Sequence, residues 1–115
     1  MNNIFAAIPD DLSTEVFDTL LENDKVKIER IVSKGHSSPD NPTDHPTDHP
    51  IDKGWYDQSQ HEWVIVLRGE AVIAFDNAAD RTLAAGDYLH IPAHQKHKVS
   101  WTDPAVETVW LAIHY

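Results

Sequence analysis

The sequence predicts an all-β domain, a small closed barrel or jelly roll. Short apolar runs recur at regular spacing along the second half of the chain, each bounded by Gly, Pro, Asn or Asp, and little of the chain has helical periodicity. The glycines at 35, 54, 69 and 86 are spaced as turn residues. Nothing in the pattern points to a parallel sheet.

Taken in order, the elements begin with a short amphipathic helix. Leu12, Val16, Phe17, Leu20 and Leu21 recur at helical spacing, Ser13 is placed as an N-cap, and Glu15 falls in the first turn, where the helix dipole favours an anion. From Lys25 the period changes. Val26 and Ile28 alternate with Lys27 and Glu29, then Ile31 and Val32 follow, which predicts a strand ending near Gly35.

Between about 37 and 54 the composition shifts to Pro, Asp, Thr and His, with Pro-Thr-Asp-His at 42–45 repeated at 46–49. Proline at this spacing forbids a helix and spoils a strand ladder, so the stretch is expected to be an extended surface loop inserted into the barrel. His45 and His49, each beside an Asp, are candidates to capture a divalent ion, with a solvated turn-rich loop as the alternative. Folded over the barrel mouth, the loop would act as a lid.

Two apolar runs, Trp63 to Leu67 and Ala71 to Phe75, flank Arg68-Gly69 and predict a β-hairpin over 62–75. Asp76-Asn77 and Asp80 mark a turn. Tyr88 to Ile91, Lys98 to Trp101 and Thr108 to His114 follow as short strands, with Asp103-Pro104 as the turn before the last.

Composition bounds the function. A chain of 115 residues suits a single domain spanning 1–115. Nine Lys and Arg against nineteen Asp and Glu give a formal charge of −10, a field that repels phosphate backbones and anionic lipid, so neither nucleic acid nor a membrane is an expected partner. Absence of cysteine excludes disulfides and thiolate chemistry and suits a reducing compartment. The N-terminus lacks the basic start and apolar run of a signal peptide, and no stretch has the roughly 20 apolar residues of a membrane helix. The expected location is the cytoplasm. Nucleotide-binding glycine loops and a Ser-His-Asp arrangement are also missing.

The chemistry concentrates in two segments. Strand alternation sets Glu62, Val64 and Val66 on one face and Trp63, Ile65 and Leu67 on the other. A Glu leading an apolar strand needs a partner if it points inward, and His97 is the obvious candidate. His61 should point the opposite way, and His90 and His114 are expected to pack or to lie at the surface.

These segments resemble the paired motifs of the cupin family. The first motif, a Glu followed after six residues by Gly, is matched by Glu62 and Gly69. The second, a Gly, five residues, a Pro and a His five residues later, is matched by Gly86, Pro92 and His97. The usual Gly two residues after that Pro is His94 here. Upstream of the Glu, where cupins carry a His-x-His pair, one register falls on Tyr56 and Gln58 and the other on Trp55 and Asp57, so neither supplies a histidine. The resemblance spans roughly residues 12 to 115 apart from the inserted loop, and the Trp-Tyr-Asp-Gln run at 55–58 with the Pro-Ala-His run at 92–94 looks like that of a group of small bacterial cupins without assigned function.

It implies a double-stranded β-helix that commonly pairs as a homodimer, and a divalent metal held by Glu62, His97 and Gln58. Ligands this mixed suit Zn, Fe, Mn or Ni without naming one. Trp55 and Tyr56 are the expected ligand contacts. His94 is a candidate at the rim, and His36 a candidate to replace the missing imidazole. Trp63, Trp101 and Trp110 are expected in the core or on a dimer face. Two function classes stay open: a metal-dependent enzyme of oxygenase or isomerase type acting on a small molecule, and a non-catalytic metabolite-binding or sensing domain without metal.

Overall fold

A computed structural model describes residues 2–37, 51–52 and 54–115. The expectations for the Pro/Asp/His-rich loop, including His45 and His49, lie outside these residues almost entirely. The strands are β1 (Val16–Glu22), β2 (Lys27–Ser33), β3 (Ile51–Asp52), β4 (Trp55–Tyr56), β5 (Glu62–Arg68), β6 (Glu70–Phe75), β7 (Arg81–Ala84), β8 (Tyr88–Ile91), β9 (His97–Thr102) and β10 (Thr108–His114). They form two five-stranded antiparallel sheets ordered β1-β2-β10-β5-β8 and β3-β4-β9-β6-β7. The inner faces meet in a core of Val64, Val66 and Ile91 with Trp110 and Ala112 from one sheet, and Ala71, Ile73, Phe75 and Leu83 from the other. Among the described residues no helix is long and apolar enough to cross a membrane.

The all-β expectation holds, and the N-terminal helix does not. Residues 16–22 form strand β1, pairing antiparallel with β2 from Val16↔Val32 to Glu22↔Lys27. A register shift between Thr19 and Leu21 interrupts the two-residue alternation. The apolar side chains on either side of that bulge therefore fall at intervals that imitate a helix. Asp18 lies opposite Arg30, whose guanidinium donates to its carboxylate at 2.7 and 3.1 Å and to the carbonyls of Ala6 at 2.6 Å and Ile4 at 3.2 Å. This clamp ties the N-terminal segment over the sheet. Leu20 and Leu21 stay 50% exposed at the edge, so burial of an apolar face is not what selects the conformation here.

The expected hairpin over 62–75 is also corrected. β5 pairs with β10 and β8, whereas β6 pairs with β7 and β9, so the chain changes sheets at Gly69. Gly69 has φ of +88° and packs against Thr108, whose hydroxyl and the Glu70 backbone exchange contacts at 3.3 Å. A glycine that permits a tight turn serves equally well at a corner between layers. The strands at 88–91 and 108–114 fall where the sequence places them, while β3 and β4, two residues each, are too short to carry a periodic signal.

Candidate functional site

Alternation along β5 buries Glu62, Val64 and Val66 and turns Trp63, Ile65 and Leu67 outward. Glu62 thus enters the space between the sheets from one side. His97 opens β9 in the opposite sheet, where it is the cross-strand partner of both Tyr56 and Phe75. Its Nε2 lies 3.4 Å from Glu62 Oε1. The expected convergence of one carboxylate and one imidazole inside the barrel is therefore present.

The tautomer follows from the other ring nitrogen. His97 Nδ1 is 2.9 Å from the Gln95 carbonyl, which only accepts, so Nδ1 carries the hydrogen and donates it. Nε2 is left facing the carboxylate. Either a proton on Nε2 joins the two groups as an ion pair, or a cation lies between two acceptors. Tyr56 packs at the ring with centroids 5.7 Å apart and Phe75 at 6.5 Å, which holds the imidazole plane.

Gln58 completes this end of the cavity. Its backbone carbonyl accepts from His94 N at 2.7 Å, fixing the loop after β4. Its side chain is directed into the cavity at 8% exposure and has no hydrogen-bond partner among the described residues. A buried primary amide without partners costs about 1–3 kcal/mol, so this position is suited to receiving one.

The cavity has a volume of about 470 Å³, its mouth included. Glu15, Tyr56, Gln58, Glu62 and His97 give it polar groups, set among Phe17, Ile31, Val64, Ile73, Ile91, Val99 and Trp110. Glu15 was not legible as a site residue because residues 12–21 imitate a helix. Once β1 is a strand, alternation puts residue 15 on the same side as Phe17, and that is the signal that finds it. Trp110 Nε1 donates to Ser33 Oγ at 3.2 Å, and the Ser33 hydroxyl donates to Glu15.

Three expected ligand contacts are not part of the cavity wall. Trp55 is half-buried with the Lys98 ammonium 4.4 Å over its ring, which holds its face against that cation. His94 is 67% exposed and pairs with Asp57 at 2.8 Å. It takes the glycine position of the second motif literally, with φ of +64°. His36 follows the Gly35 turn, and its Nδ1 accepts from the Lys34 backbone N–H at 2.8 Å while its carbonyl accepts from Thr102 at 2.6 Å. That ring is folded onto its own turn and does not supply the missing imidazole. His61 points outward as expected, accepting from Ala93 N at 3.0 Å.

A second buried cluster adjoins the site. His114 is the cross-strand partner of Glu62 on one side and Lys27 on the other. Its Nε2 lies 2.9 Å from Glu29 Oε1, and Lys27 Nζ lies 3.7 Å from Glu29 Oε2. Glu29 is 1% exposed and His114 5%. Burial pulls the imidazole down, but the hydrogen bond to Glu29 and the charges of Glu62 and Glu29 outweigh it against Lys27, so its pKa rises above the ordinary 6.5.

Two antiparallel sheets with an acid and an imidazole converging between them define a cupin barrel, and comparison with known proteins agrees. The cupin domain matches residues 52–114, and the chain belongs to the cupin family. A crystal structure from Ralstonia eutropha, of a protein provisionally named a mannose-6-phosphate isomerase, is 43% identical, covers 99% of this chain and 95% of its own, and has a TM-score of 0.83. A cupin superfamily protein from Desulfitobacterium hafniense is 22% identical over 93% of this chain and 82% of its own, with a TM-score of 0.68. A cupin with a double-stranded β-helix fold from Methanocaldococcus jannaschii is 15% identical over 93% of this chain and 84% of its own, with a TM-score of 0.65. Comparison with curated proteins gives no match.

Proposed function

We propose that this cupin holds a divalent ion, Zn, Fe, Mn or Ni, between Glu62, His97 and Gln58, and binds a small molecule in the adjoining cavity as a metal-dependent enzyme of isomerase or oxygenase type. The observation that carries it is the 3.4 Å separation of His97 Nε2 and Glu62 Oε1 inside the barrel, with Nδ1 of that ring donating to the Gln95 carbonyl. A tetrahedral ion with bonds of about 2.1 Å separates its ligand atoms by about 3.4 Å, which fits the spacing of His97 Nε2 and Glu62 Oε1. The Gln58 amide, without a side-chain hydrogen-bond partner among the described residues, offers a third oxygen. Such an ion would act as a Lewis acid toward a substrate oxygen. The chain's own contribution is to orient His97 through the Gln95 carbonyl, to shield the site with Tyr56 and Phe75, and to line the rest of the space with apolar side chains. The name given to the Ralstonia neighbour supports the isomerase branch over the oxygenase branch.

The test is elemental analysis of protein purified without a histidine tag. Wild type is expected to carry close to one ion per chain, with Glu62→Ala and His97→Ala each losing most of it and Gln58→Ala losing less. Metal well below one per chain in wild type, unchanged in the variants, overturns the reading.

A metabolite-binding domain without metal is the second reading. One observation favours it: among the described residues no group of three or more His, Cys, Asp or Glu side chains is disposed to hold an ion. Ligand binding that survives exhaustive chelation would select it.

The partner we infer besides the ligand is a second copy of the chain. Trp63, Ile65, Leu111 and Ile113 on the outer face of β5 and β10 are half-buried, and Trp63 stacks on exposed Tyr88 at 5.5 Å. Joining two chains of charge −10 through this uncharged patch keeps their acidic surfaces apart. Sedimentation equilibrium is expected to give a dimer that Trp63→Lys converts to monomer; a monomeric wild type ends the proposal.

A further inference from the structure

We propose that Asp57 and His94, neither of which lines the cavity, form a clasp that positions Gln58 as the third arm of the candidate site. This rests on reading Gln58 as a group that grips the ion or the ligand. Asp57 and His94 are then positioning residues, acting through Gln58 without touching the guest.

One turn holds all three candidate ligands. The Gln95 N–H closes it on the Pro92 carbonyl at 3.2 Å, and the Gln95 carbonyl accepts from His97 Nδ1 at 2.9 Å. The Ala93 N–H donates at 3.0 Å to the ring of His61, the residue before Glu62. The His94 N–H donates to the Gln58 carbonyl at 2.7 Å. Residue 94 meets this segment a second time through its side chain, whose Nδ1 lies 2.8 Å from Asp57 Oδ1; an ionised carboxylate only accepts, so Nδ1 carries the hydrogen. Backbone and side chain of one residue thus grip two consecutive residues. Asp57 turns toward that ring, and the next side chain, Gln58, is buried and enters the cavity.

The turn would close more easily without the imidazole. His94 stands at its third position with φ of +64°, where a positive φ ordinarily selects glycine and where the second cupin motif usually has it. A side chain in the left-handed region costs free energy that glycine spares. What the imidazole adds is the bond to Asp57. Holding Asp57 and the Gln58 carbonyl together sets the backbone from which the Gln58 side chain projects. Glutamine is among the side chains that lose most rotamer freedom on ordering, so a preset backbone lowers the cost of closing it on a guest.

The test has two arms. In the first, zinc is titrated calorimetrically into the chelator-treated full chain, and the component that Glu62→Ala abolishes is followed, since His45 and His49 are candidates to capture an ion of their own. His94→Gly is expected to weaken that component about threefold or more, the scale of a partly exposed charged pair, while melting no lower than wild type. In a Gln58→Ala background the same change should weaken it no further. In the second arm, amide hydrogen exchange of Asp57→Ala is expected to speed the His94 N–H by about the same factor and the Ala93 N–H less. A smaller loss of zinc affinity, a further loss in the Gln58→Ala background, a His94→Gly protein that melts well below wild type, or equal acceleration at 93 and 94 would each overturn the proposal. Wild type without the Glu62-dependent component would refute the metal reading instead, and the exchange arm alone would then decide the clasp.

Discussion

Glu29→Ala is expected to lower the free energy of unfolding by about 3–5 kcal/mol, the usual cost of removing one partner from a buried ion pair. Glu29 is almost fully enclosed, accepts from His114 at 2.9 Å and lies 3.7 Å from the Lys27 ammonium. Without it, two cationic groups face each other with Glu62 as the next anion along the row. His114 would respond by releasing its proton, which caps the loss but leaves a buried imidazole without its acceptor. Since domains of this size have about 5–15 kcal/mol in total, the variant should sit near the edge of folding, with a melting temperature lowered by 10 °C or more. Urea unfolding followed by tryptophan fluorescence measures it, and a loss below about 1 kcal/mol would show that the cluster behaves as a surface pair.

The same cluster sets a pH dependence whose sign is fixed. The His114 pKa is raised in the folded state, so the folded protein binds a proton more tightly than the unfolded chain. Its stabilising contribution is complete below the unfolded value near 6.5 and is lost as pH rises through the higher folded value. Wild type should therefore lose stability relative to His114→Asn between neutral and mildly alkaline pH. Parallel profiles for the two proteins across that window would contradict the assignment.

Gly69→Ala is the second large effect, with an expected loss of about 3 kcal/mol or more. Two costs combine. A non-glycine residue in the positive-φ region costs about 1–3 kcal/mol, and Gly69 has φ of +88°. An added Cβ would also press on the Thr108 hydroxyl, at 2.7 Å from Thr108 Cα and 2.9 Å from the Glu107 carbonyl, all parts of a pinned corner. Overpacking against backbone adds about 1–3 kcal/mol. Gly86→Ala is the control, since Gly86 has φ of +94° and no described residue lies within 4 Å of where its Cβ would be. It should cost only the conformational part. Equal losses in the two variants would sink the packing argument and leave strain alone.

These two sites also show where reading the chain succeeds and where it stops. β8 and β10 are legible because each is a short apolar run closed by turn residues, and Glu62 is legible because alternation along β5 leaves it on the Val64 face. β1 is not, because one bulge shifts its apolar residues into a helical interval. The 62–75 segment shows the same limit, since a glycine turn looks alike whether the next strand pairs with the last or crosses to another sheet.

Periodicity and turn chemistry are properties of neighbours in the chain, so the sequence alone determined the all-β class, the inward face of β5 and the candidate acid and imidazole. Which strands lie side by side depends on contacts between residues far apart in the chain, and only the folded barrel decided those. It brought Glu15 to Ser33 and Trp110, Glu29 to His114, and Glu62 to His97 from the opposite sheet. It also turned His36 back onto its own backbone, because a side chain's partners are settled by the packing of layers and not by its spacing from a motif.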